Sequence, residues 1–180
     1  MRVIAGELKG RRLKSPAWDG LRPTSDKLRE TLFNILAPRL AGARVLDGYA
    51  GTGAIGIEAI SRGAAWVSFA DSDRRAQALI ADNLAHCGVT NGYAIIRATV
   101  ARALGDAAAA SFDIILLDPP YEDREVDAVV ATAGAALAPG GVLVVEHARR
   151  RTTPDAAGPL IRVRQVISGD SALSFYSCPP

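Results

Sequence analysis

Five near-continuous apolar runs, with stretches of helical character between them, constrain this 180-residue chain more than any other feature. The runs are ARVLD (43–47), WVSFA (66–70), YAIIR (93–97), FDIILL (112–117) and GVLVVE (141–146). Runs of this kind belong to strands buried on both faces. The segments between them, at about 54–62, 73–86, 99–105 and 124–137, predict helices, and such alternation builds a parallel sheet covered by helices on both sides. Two further strand-like runs, IRVRQVIS (161–168) and ALSFYS (172–177), are separated only by Gly169, Asp170 and Ser171. That gap admits a hairpin and no crossover. A mostly parallel seven-stranded sheet ending in an antiparallel hairpin is therefore expected.

Before this core, residues 2–14 alternate weakly around Gly6 and Gly10 and predict a small hairpin. A helix follows Arg22-Pro23, with Thr24 or Ser25 as its N-cap and Leu28, Leu32, Ile35 and Leu36 on one face; it is predicted to end before Pro38. The length suits one α/β domain, with residues 1–40 as an extension of a core spanning 41–180. The alanine-rich 106–111 stretch and the arginine-rich stretch from 149 read as connections. No apolar run approaches the roughly 18 residues of a membrane span, no signal peptide is evident, and the cysteines are only Cys87 and Cys178. A soluble protein of the reducing cytoplasm is expected, with no membrane partner.

The net charge of +2 is unevenly spread. Residues 1–30 hold eight basic residues (Arg2, Lys9, Arg11, Arg12, Lys14, Arg22, Lys27 and Arg29) against four acidic ones, a net of +4 that leaves −2 for the other 150. Positive charge gathered in one terminal segment is the footprint of phosphate contacts with nucleic acid.

Gly51, Gly53 and Gly56 spell G-x-G-x-x-G between a predicted strand and a predicted helix, with Asp71 at the end of the next strand. Alone, the pattern fits a dinucleotide. Asp47, at the tip of the first strand, opposes that reading, because a pyrophosphate needs electropositive surroundings there. S-adenosylmethionine carries an ammonium and a sulfonium and no phosphate, so the carboxylate favours this methyl donor. Asp71 is assigned to the ribose hydroxyls, and Asp73 to capping the next helix.

Ligands of a doubly wound sheet bind beyond the carboxyl ends of the strands, which places Asp118 on one edge with Asp47 and Asp71. Pro119 and Pro120 stiffen the loop after Asp118. An exocyclic amine is a poor nucleophile while its lone pair is delocalised into the base. Accepting its two hydrogens, at the Asp118 carboxylate and the Pro119 carbonyl, would orient the nitrogen toward a methyl. Tyr121 would stack on the base. The nitrogen becomes acidic only after methylation, so Asp118 serves orientation more than proton removal.

Asp47-Gly-Tyr-Ala-Gly-Thr-Gly resembles motif I of class I methyltransferases, and Asp118-Pro-Pro-Tyr resembles motif IV of those that act on exocyclic amines. With MRVIAGELKGRRL, LRPTSDKLRETLFNIL and GDSALSFYS, the resemblance extends over nearly the whole chain to the RsmD family. It implies a class I, Rossmann-like fold and S-adenosylmethionine as donor, without a metal. It further implies transfer to N2 of a guanine in 16S ribosomal RNA within a partly assembled small subunit; separately, a monomer is expected. The RPTSDKLRE segment, including Thr24, would lie against the donor pocket. Two positions depart from the pattern. Thr99 stands where an acid or amide often contacts adenine, and Gly48 replaces a bulkier residue, which predicts a looser pocket wall.

Three alternatives stay open. A NAD-dependent oxidoreductase would need a hydride-transfer acid or base, and the only histidines, His86 and His147, read as surface or capping residues. A DNA adenine-N6 methyltransferase would need a recognition domain larger than the roughly 40 residues ahead of the core. A non-catalytic RNA-binding protein would have no need of Asp118-Pro-Pro-Tyr.

Overall fold

The apolar runs pair as their alternation with helices demands. The computed structural model describes residues 1–16, 26–123 and 125–179. Along the chain lie α1 (Asp26–Leu40), β1 (Arg44–Gly48), α2 (Ala54–Ser61), β2 (Trp66–Asp71), α3 (Arg74–His86), β3 (Tyr93–Arg97) and α4 (Val100–Gly105). They are followed by β4 (Phe112–Leu117), α5 (Val126–Ala136), β5 (Leu137–Ala148), β6 (Ala156–Ala157), β7 (Leu160–Ser168) and β8 (Ser171–Ser177). All eight strands form one sheet in the order β3-β2-β1-β4-β5-β8-β7-β6. Strands β1 to β5 pair in parallel, and β8 lies antiparallel between β5 and β7. The topology switches direction between β1 and β4, where an open α/β sheet leaves a crevice for ligands.

Two hydrophobic layers hold the sheet. One face buries Leu32 and Phe33 of α1, Ile57 of α2 and Ile80 of α3 against Val45, Phe69 and Val144. The other buries Leu104 of α4 and Val129 and Val130 of α5 against Leu46, Ile115 and Leu143. Full burial of one such aliphatic side chain stabilises by about 1.5–3 kcal/mol.

The structure corrects four expectations. Helix α1 does not stop at Pro38 but continues to Leu40. Proline forfeits one intrahelical bond, yet Leu28, Leu32, Leu36 and Leu40 are all buried, and this four-residue stripe carries the helix through. The sheet has an eighth strand, since Ala156 and Ala157 of the supposed connection pair with Leu160 and Ile161; two residues are too few to show periodicity. Strand β5 starts at Leu137, earlier than expected, with an irregular register opposite Phe112 and Ile114. His147 is no surface residue. It lies within β5, 2% exposed, with Nε2 2.9 Å from Ser174 Oγ and Nδ1 2.9 Å from the Ala148 carbonyl. Burial lowers its pKa, against the opposing effect of the bond to the Ala148 carbonyl, and so favours the neutral ring. Arg22, Thr24 and Ser25, the last two as the expected N-cap, lie outside the described residues.

The N-terminal hairpin forms as expected, with a bridge between Arg2 and Arg12 and Val3 N–H donating to the Arg11 carbonyl at 2.9 Å. It docks on α2 through a buried acid: Glu58 accepts from the amides of Ile4 (2.7 Å) and Ala5 (3.0 Å) and from Arg62 Nε (2.7 Å). Val3 and Leu13 turn into the core, while Arg2, Lys9, Arg11 and Arg12 remain exposed.

Candidate active site at the strand tips

Because β1 sits between β2 and β4, the tips of these strands bring Asp47, Asp71 and Asp118 to one edge of the sheet. Asp47 is 1% exposed and accepts a hydrogen bond from the Gly56 amide at 2.8 Å. Its pKa is pushed well above the usual carboxylate range, first by burial and further by the charges of Asp118 and Asp71, against the opposing effect of the Gly56 amide. A buried carboxylate ringed by like charge is a place for a cation, and a poor place for a pyrophosphate. No group of acids, histidines or cysteines placed to hold a metal ion occurs among the described residues.

The glycine loop above Asp47 has two distinct requirements. Gly51 and Gly53 take left-handed φ values of 55° and 75°, which L-residues adopt at a cost. Gly56 is required by space, since a Cβ there would sit 2.2 Å from Phe69 Cε1. Asp71 braces the loop. Its Oδ2 accepts from the Gly51 amide and its Oδ1 from the Asp73 amide, each at 2.9 Å. Each oxygen keeps a second lone pair, so the ribose role is compatible with this bracing. Asp73 caps α3 as expected, accepting from the Arg75 amide at 2.8 Å.

A cavity of about 130 Å³ opens beside Asp71, lined among others by Tyr49, Ser72, Thr99, Asp123 and Glu125. Thr99 caps α4 by accepting from the Arg102 amide at 3.3 Å. Acids of the loop after β4 thus face the region where an acid after β3 is missing. The expected looseness at Gly48 is not found. A Cβ there would lie 2.6 Å from Leu117 Cδ2 and 3.2 Å from Val100, so those side chains already fill the wall.

Asp118 leaves β4 half-buried, its amide 3.3 Å from the Gly48 carbonyl. Pro119 is buried, and the Pro120 carbonyl accepts from the Asp123 amide at 2.9 Å, closing a tight turn. The Tyr121 hydroxyl lies 2.7 Å from Ser171 Oγ, which ties this loop to the start of β8.

Several contributors escape a reading of the sequence. Tyr49, at φ 60°, bonds to Asp123, and burial followed by that bond raises its pKa. Arg151 donates to the Asp123 carbonyl (2.9 Å) and to Asp127 (3.2 Å), fixing the same loop from the far side. Asn83, fully buried in α3, accepts from the Lys14 amide at 2.7 Å and donates to the Thr52 carbonyl at 2.9 Å. A lone polar residue on an apolar helix face is the available signal for Asn83 and Glu58; nothing local marks Tyr49 or Arg151. Lys14, expected at phosphates, has its ammonium 3.0 Å from Asp82.

The strand order, the glycine loop after β1 and the acids at successive strand tips define a class I methyltransferase fold, and the structure of the Escherichia coli protein yhhF superposes with a TM-score of 0.83 at 30% identity, covering 99% of this chain and 97% of that one. The family model described as Conserved hypothetical protein 95 matches residues 1–177. YlbH of Bacillus subtilis is 37% identical over 98% of both chains. The Escherichia coli protein named ribosomal RNA small subunit methyltransferase D is 32% identical over 98% of this chain and 89% of its own length. The chain belongs to the RsmD family.

Proposed function

We propose that this chain is a cytoplasmic, S-adenosylmethionine-dependent methyltransferase acting on N2 of a guanine in 16S ribosomal RNA, within a partly assembled small subunit. The observation that carries the reading is the attachment of the Asp118-Pro-Pro-Tyr loop to Gly48, the residue next to buried Asp47. Donor and acceptor chemistry then meet across one backbone hydrogen bond. The name of the Escherichia coli relative supports ribosomal RNA as the substrate.

When bound, the donor supplies a methyl group on a cationic sulfur. In this reading the Asp47 carboxylate attracts the donor's positive charge, and Gly51 and Gly53 let the backbone approach it. Asp71 receives the ribose hydroxyls. Asp118 and the Pro119 carbonyl accept the two hydrogens of the guanine amine, Pro120 holds the turn, and Tyr121 supports the base. Residues 1–40 form the RNA-facing extension of the catalytic core 41–180, with Arg2, Lys9, Arg11, Arg12 and Arg22 at phosphates. Lys14, held by Asp82, contributes less.

Nucleoside mass spectrometry of 16S ribosomal RNA from cells with and without the gene tests the reading. Loss of N2-methylguanosine at one position is the expected result; an identical inventory of methylated guanosines in both strains would overturn it.

A further inference from the structure

Strand β5 runs past the level of Asp118 and leaves the sheet after Ala148. Leu117 pairs with Val145, so Asp118 is level with Glu146, and Arg149 comes three residues later, about 10 Å along the same edge at the usual strand rise. The sequence there is Arg149-Arg150-Arg151, three consecutive cations in a part of the chain that is otherwise net acidic. The three do not share one role. Arg151 turns inward and braces the acceptor loop through the Asp123 carbonyl and Asp127. Arg149 and Arg150 are exposed, and neither makes an ion pair among the described residues. Of the neighbouring acids, Asp127 takes Arg151 at 3.2 Å, and the backbone carbonyl of Asp170 accepts the Arg149 amide at 2.8 Å. That last bond and the contact of Tyr121 with Ser171 fix the arginines, the hairpin turn and the acceptor loop as one ledge.

We infer that Arg149 and Arg150 grip the RNA backbone on the far side of the target base from the N-terminal hairpin, holding phosphates one or two nucleotides away while the base lies at Asp118. This inference rests on the RNA-methylating function proposed above. The chemistry fits a polyanion: a base turned into the crevice leaves its strand continuing in both directions, and the planar guanidinium is the side chain best matched to phosphate oxygens. Two exposed guanidinia at the rim of a crevice whose interior is acidic also divide the labour, with cation sites inside for the donor and anion sites outside for the acceptor strand.

The test uses the full chain with Arg149→Ala and Arg150→Ala together, and a second variant with lysine at both positions. Small subunits isolated from cells lacking the gene serve as substrate, and transcribed 16S ribosomal RNA as the binding probe across several salt concentrations. The alanine variant is expected to lower the magnitude of the log–log salt slope by about one to two and to raise KM for subunits about tenfold, with donor affinity unchanged. The lysine variant should recover most of the slope, since it keeps the charge. If wild type methylates the subunits and the alanine variant matches its slope and KM, the ledge is only a solvated face and the inference falls alone. If wild type itself transfers no methyl group to RNA, the functional reading falls, and this inference with it.

Discussion

The amide of Asp118 lies 3.3 Å from the carbonyl of Gly48, so the loop after β4 hangs from the last residue of β1, the strand that carries Asp47. The fit around Gly48 is already full. Replacing it with alanine would press a methyl against Leu117 Cδ2 at 2.6 Å and Val100 at 3.2 Å, so the buried Leu117 side chain at the end of β4 must shift. Overpacking of this kind costs about 1–3 kcal/mol. Gly48→Ala should lower the thermal midpoint and slow transfer, because Asp118 moves with the strand end. Unfolding and single-turnover measurements on one preparation check both effects.

If Asp47 holds the donor as proposed, donor binding should depend on pH. Its folded pKa is raised by burial, so the native state holds a proton to higher pH than the unfolded chain does. The stability that this proton confers is full below the ordinary carboxylate range and is lost as pH rises through the elevated value. A cationic donor prefers the ionised form. Affinity should therefore rise with pH until pH passes the elevated Asp47 pKa, with proton release on binding below that point. Asp47→Asn should flatten this dependence and weaken binding while leaving the midpoint at neutral pH equal or higher. Calorimetry in buffers of different ionisation enthalpy reads the proton directly.

Asp71→Ala should do two things at once. It strands the amides of Gly51 and Asp73, which costs about 1–3 kcal/mol of stability in a semi-buried loop, and it removes the acceptor proposed for the ribose hydroxyls. Donor affinity should fall by about 1–3 kcal/mol as well. An unchanged dissociation constant, measured below the lowered midpoint, would move the ribose contact elsewhere.

Arg11 and Arg12 are exposed on the docked hairpin, and their replacement by alanine should reduce the RNA salt slope by about one to two without affecting the donor. Lys14→Ala should leave that slope nearly intact, because its ammonium already faces Asp82 at 3.0 Å. Titration of the ribosomal substrate at graded salt distinguishes the two variants; equal slopes for all three proteins would make the hairpin a structural clasp and nothing more.

Much of this arrangement is legible in the sequence because it rests on local signals. Doubly apolar runs mark the strands, a gap too short for a crossover makes the last pair antiparallel, and Asp73 has only its own helix to cap. What escapes depends on partners far along the chain. Pro38 argues for a helix end, and only the buried stripe that Leu40 shares with Leu36 overrides it. His147 looks terminal when β5 is taken to end at Glu146, and its buried partner Ser174 is 27 residues away. Gly48 suggests a gap, yet the volume a side chain would take is filled by Leu117 and Val100. Arg151 is one of three identical letters, and only the fold separates the arginine that braces the acceptor loop from the two that face outward.

The most direct test of the account is the single-turnover rate of Asp118→Ala with saturating donor on small subunits that lack the modification. On the proposed function Asp118 orients the acceptor amine, while other groups hold the donor. The account predicts that the variant binds the donor within about tenfold of wild type and loses transfer by at least about a hundredfold, the loss expected when an interaction made at the reacting centre is removed. Wild-type-like transfer by a folded, donor-binding Asp118→Ala protein would contradict it.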